Sequence, residues 1–290
     1  MALYGTTRAE LRVADDLPPG LAFGPFRAGA VLRTAVRYSN AASKTESDLV
    51  PGRQGLALKI TDDQGHTQDL LTTTGAAEFL AENGAAAIAA AKAEMKGPLG
   101  IIGLAVKIGV LNAARLVYAA KSTANHGKSV PGQMLFSRVP YQLGEFAVKF
   151  RLVPVGDVDE PWLGEGQHAR TDDIRRRLDT GPLVYNLQVQ GKPEQVSLDD
   201  AREEWSGTAY VTLAQLVIPR QPRNDAAQDL DQVGVNKLSF SPFHRWDDKD
   251  DRALKPLRDV NATRKAVYEA SAKARGSGGA DTVRCPYGFG

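Results

Sequence analysis

The chain has 290 residues, of which 42% are hydrophobic and 24% charged, an ordinary balance for a globular protein large enough to bury a sizeable core. Its 36 basic and 34 acidic residues leave a net charge of +2, which gives no general basic field and no argument for nucleic acid as a partner. A single cysteine, Cys285, excludes an intrachain disulfide framework and agrees with a reducing, cytoplasmic setting.

Met1 to Gly5 leads straight into a strand-like segment ending at Val13, and no secretory signal is expected there. Asp15 to Gly20 reads as a turn. Val31 to Ser39 and Gly55 to Thr61 read as partner strands, and an Asp62–Gly65 turn leads into a third from His66 to Leu71. A helical insertion is expected between about residues 76 and 121. Its Ala-rich first helix stops at Gly97-Pro98, and an apolar second one runs to about Lys121. Leu99 to Ala120 is interrupted by Lys107 and Arg115. It is read as a buried or amphipathic helix, not a membrane span, because two basic residues in hydrocarbon are costly.

Further strands are expected over Leu135–Ser137, Ala147–Val153, Leu183–Gln190 and Tyr210–Ile218, with a basic helix at Asp172–Asp179. Leu183, Tyr185, Leu187 and Val189 alternate with Asn186, Gln188 and Gln190, as in a strand with one face on a core. Phe146, Phe150, Phe240 and Phe243 are read as core. A closing helix is expected from Ala262 to Ala274, then a loosely held tail from about 276 to 290. The whole predicts one α+β domain, residues 1–290, built on an antiparallel β-barrel with surrounding helices.

The closing helix carries the most specific chemistry. Arg264, Tyr268 and Arg275 stand at i, i+4 and i+11. Three helical turns take about eleven residues, so the three share a face. Arg264 can hydrogen-bond the phenolic oxygen and favour its ionised form, and a phenolate is a known axial ligand of haem iron. Arg275 is then available to a carboxylate such as a haem propionate. The spacing also suits a plain exposed ion-pair face. No HExxH, CxxC or paired-histidine spacing suggests zinc, and no Gly-x-Ser-x-Gly or GK[ST] motif suggests hydrolase or nucleotide chemistry.

The order of several segments resembles the haem catalase superfamily, in particular its small bacterial catalase-related peroxidase members. They are Val36-Arg-Tyr-Ser-Asn40, Gly55-Leu-Ala-Leu-Lys59, Gln68-Asp-Leu-Leu71, Phe136 to Phe150, Glu204-Trp205, Leu238 to His244 and Asn261-Ala-Thr-Arg264. The resemblance implies a catalase-like barrel holding haem b, with Tyr268 as the metal ligand and Arg264, Arg275 and Arg37 as cofactor-binding residues. It puts Ser39 on the distal side and the distal amide position near Thr73 and Thr74, with Thr74 the catalytic-side candidate.

The family's distal histidine falls at or before Met1 here, and the first histidine is His66. The expectation is therefore peroxidase-type chemistry on a peroxide or organic hydroperoxide, with a small organic reductant and weak catalase activity. Rearrangement of fatty-acid hydroperoxides and haem binding or sensing without turnover stand as alternatives. Members are often oligomers, so a homo-oligomer is an expectation without an identified interface.

Overall fold

The computed structural model describes residues 3–40, 47–48, 50–78, 86, 88–89, 93, 96–122, 128–156, 166–221, 238–246, 253–257, 265, 268–269 and 273. Eight antiparallel strands close on themselves in the order β1 (Leu3–Val13), β2 (Val31–Asn40), β3 (Gln54–Thr61), β4 (Thr67–Thr73), β5 (Leu135–Phe136), β7 (Phe146–Pro154), β8 (Leu183–Gly191) and β9 (Tyr210–Ile218), which returns to β1. Closure leaves no long open edge. The short strands β6 (Tyr141–Leu143) and β10 (Ala253–Pro256) extend the rim beyond β7.

The barrel is filled from its inner faces. Leu11, Val36, Tyr38, Leu56, Leu58, Ile60, Leu70, Phe150, Leu152, Tyr185, Leu187 and Leu216 belong to one buried apolar cluster. Each leucine withdrawn from water in this way stabilises the fold by about 1.5–3 kcal/mol. The interior is also tied by a hydrogen bond between the Tyr38 and Tyr185 hydroxyls at 3.0 Å. Burial pushes both phenols above their ordinary range, so this pair is neutral.

Three α-helices have described bounds: α1 (Gly97–Ile108), α2 (Val110–Ser122) and α3 (Ala169–Thr180). The Asp48 carboxylate reaches the start of α3, where Oδ2 accepts from the backbone N–H groups of Arg170 and Thr171, both at 3.1 Å. Those amides lack partners inside the helix, and a carboxylate there also meets the positive end of the helix dipole. Arg170, itself buried, donates to the Asp48 carbonyl. The single apolar helix expected over Leu99–Ala120 is instead a hairpin of two helices. It turns at Gly109, whose φ of +87° suits glycine. Phe146, expected in the core, is half exposed. The short strands β6 and β10 were not expected.

Candidate functional site

Strands of a barrel with a solvated outside should alternate buried and exposed residues, and β8 does so over most of its length. From Thr34 to Asn40 every residue of β2 is buried, and from Leu56 to Thr61 every residue of β3. The outer face of this part of the barrel is therefore covered. Register fixes which side chains share it. Ser39 pairs with Gly55 and Gly55 with Thr73; Arg37 pairs with Ala57 and Ala57 with Leu71; Ala35 pairs with Lys59 and Lys59 with Asp69.

Two parts of this face differ in chemistry. Around Ser39, Gly55, Ala57 and Ala35 the wall is built of small residues. A Cβ placed on Gly55 would lie 3.3 Å from the Thr72 carbonyl oxygen and 3.4 Å from Ser39 Oγ, so a larger side chain would fill the face. Thr73 Oγ1 is buried here without a hydrogen-bond partner among the described residues. Ala35, Ala57 and partly buried Leu71 pack with Leu238 and Phe240 from the covering segment 238–246. Arg37 is buried, and its guanidinium carbon stands 4.2 Å from the centre of the Phe240 ring.

The other part is a charged clamp. Lys59 Nζ donates to Asp69 Oδ1 at 2.7 Å and Oδ2 at 2.9 Å, with both side chains fully buried. Asp69 Oδ2 also accepts from the backbone N–H of Ser241 at 2.9 Å and lies 2.8 Å from His244 Nδ1. Trp246 N–H donates to Gln68 Oε1 at 3.1 Å. The carboxylate, amide and ammonium thus fasten the covering segment onto β3 and β4.

Of the residues singled out in the sequence, Arg37 and Ser39 share this face on one strand, two residues apart. Thr74 is buried just past β4, and its hydroxyl is engaged with Gln54: it accepts from Gln54 N–H at 3.1 Å and lies 3.5 Å from Oε1. The residue in register with Gly55 and Ser39 is its neighbour, Thr73. Tyr268 is half-buried on a helical turn. Lys265 on that turn has its ammonium 6.0 Å from the Phe243 ring, which sets the turn beside the covering segment. Arg264, Arg275, Cys285 and the tail from 276 lie outside the described residues.

The residue set fits a haem. It offers a wall of small residues, a buried guanidinium among them, a buried hydroxyl with no partner among the described residues, and a half-buried phenol three residues from Lys265, whose ammonium stands 6.0 Å from the Phe243 ring. Sequence reasoning missed Phe240 as the cover on Arg37 and His244 as a partner of Asp69. The one available signal was the placement of two charged residues, Lys59 and Asp69, next to apolar residues in strands, since such residues are fully buried only when paired.

No protein-family model matches the sequence. The chain is 25% identical over 276 residues to a catalase-related peroxidase from Mycolicibacterium paratuberculosis, a match covering 88% of this chain and 82% of that protein. Among solved structures, a bacterial catalase superposes with a TM-score of 0.66 at 17% identity over 93% of this chain. This chain spans 55% of that catalase's length. The chain thus shares its barrel architecture with that catalase and a sequence likeness, running through most of its length, with that peroxidase.

Proposed function

We propose that this chain is a catalase-like haem protein that reacts with peroxides, mainly in peroxidase fashion with weak catalase turnover. The observation carrying the proposal is the covered outer face of β2, β3 and β4, where Ser39, Gly55 and Thr73 stand in one row beside buried Arg37. Haem b held there would supply a redox-active iron that exchanges electrons with peroxide and with a small organic reductant.

The chain's own residues then divide the work. Tyr268 would supply its phenolic oxygen as the ligand that holds the haem iron. Arg264, four residues earlier in the sequence, would donate a hydrogen bond to that oxygen. Arg275 and Arg37 would pair with its propionates, and Phe240, against which Arg37 lies, keeps the Arg37 guanidinium out of water and oriented. The Ser39 and Thr73 hydroxyls would orient peroxide oxygens by hydrogen bonds. A hydroxyl orients a peroxide by hydrogen bonding and is itself a poor base near neutral pH.

The test is to load the purified full chain with haem and follow hydrogen peroxide consumption with and without a phenolic reductant. The proposal expects consumption that accelerates with the reductant. A protein that retains no haem, or retains it and leaves peroxide untouched, defeats it.

A further inference from the structure

Between Lys96 and Lys128 the chain carries Lys107, Arg115 and Lys121 and no aspartate or glutamate. The hairpin of α1 and α2 lies in this segment. Its two helices pack on each other, with Leu104 and Ala113 buried against Ala93. The opposite side is apolar and open. Leu99, Ile102 and Val106 follow the i, i+3, i+7 spacing of one helical stripe and are 80%, 62% and 85% exposed. At the turn Val110 and Leu111 are 75% and 64% exposed, and on α2 Tyr118 is 74% exposed. Single exposed apolar residues need no explanation, but a stripe of them continuing around a turn marks a contact surface.

Length and charge decide what that surface meets. At 12 residues α1 is about 18 Å long, well short of the ~30 Å hydrocarbon core, so neither it nor its partner of 13 residues crosses a bilayer. Two short helices with an apolar stripe and only basic charge in their segment match an element lying in the membrane interface. Anionic headgroups attract each Lys or Arg near the surface. Packing two copies face to face would instead bring two segments of like charge together.

We propose that this hairpin docks the protein on an anionic membrane surface, with the stripe of Leu99, Ile102 and Val106 entering the boundary between headgroups and acyl chains. Docking requires no cofactor, so this inference stands or falls separately from the haem reading.

The test uses the full-length protein and sedimentation with vesicles of phosphatidylcholine alone or mixed with phosphatidylglycerol, at low and high salt. The wild type is expected to sediment with the anionic vesicles, less so at high salt. The triple variant Leu99→Gln/Ile102→Gln/Val106→Gln is expected to partition at least about tenfold less, since burying even one such side chain is worth about that factor. These positions are exposed, so the variant should melt as the wild type does. A fluorophore on Leu99→Cys in a Cys285→Ser background should shift to the blue only with the anionic vesicles. No sedimentation, equal sedimentation with both lipids, or sedimentation unchanged in the triple variant overturns the proposal. So does a dimer lost in the triple variant from a wild type that ignores vesicles, because that result assigns the face to a second copy.

Discussion

Replacing Asp69 with asparagine keeps the shape of the side chain and removes its charge. In the native fold the carboxylate takes both short bonds from Lys59, the backbone N–H of Ser241 and the contact with His244. The amide leaves a fully buried ammonium without a counter-charge. Breaking a buried pair from one side typically costs about 3–5 kcal/mol, against a total stability on the order of 5–15 kcal/mol. For a chain of this size each kcal/mol moves the melting temperature by roughly 2–4 °C, so a fall of about 6–20 °C is expected.

Urea denaturation and thermal melts measure the global cost. Limited proteolysis within 238–246 reports whether the covering segment has come loose. Removing both charges in Lys59→Met/Asp69→Leu should recover most of the loss, because no buried ion is then left alone. An Asp69→Asn variant that loses less than about 1 kcal/mol, with segment 238–246 still protected, would refute the idea that this clamp holds the cover.

Asp48→Ala should lower stability by about 1–2 kcal/mol in urea melts, since it frees two amides at the start of α3. Gly55→Val should cost about 1–3 kcal/mol by overpacking against the Thr72 carbonyl and Ser39, and should weaken haem retention in a titration followed by absorbance. Lys149 is held down to about 8, mainly by burial and further by Arg138, while Glu78 and Glu203 oppose the shift. A lysine whose pKa is lower in the fold than in the unfolded chain binds fewer protons there, so its contribution to stability rises with pH between about 8 and 10. The urea midpoint of the wild type relative to Lys149→Met should therefore increase from pH 7.5 to 9.5, and a constant difference would contradict the assignment.

Local pattern carried much of this architecture. Strand β8 is visible in the sequence because Leu183, Tyr185, Leu187 and Val189 alternate with polar residues, and the same four fill the barrel. Strand β6 is three residues long, directly after Pro140, and pairs back on β7 across Gly144, where φ is +59°. Three residues are too few to show a period. The break at Gly109 was hidden because the residues on both sides are equally apolar.

For the site, Arg37 and Ser39 were readable as neighbours on one face from their two-residue spacing. The choice between Thr73 and Thr74 was not, because a shift of one residue moves a side chain to the other face, and only pairing with Gly55 fixes it. The clamp joins Asp69 to His244, which lie 175 residues apart, and no local signal connects them.

The most direct test of the haem reading is the absorption spectrum of the haem-loaded protein beside its Tyr268→Phe variant. The account predicts a high-spin ferric phenolate spectrum in the wild type that is lost in the variant. The same phenolate spectrum persisting in Tyr268→Phe would contradict it.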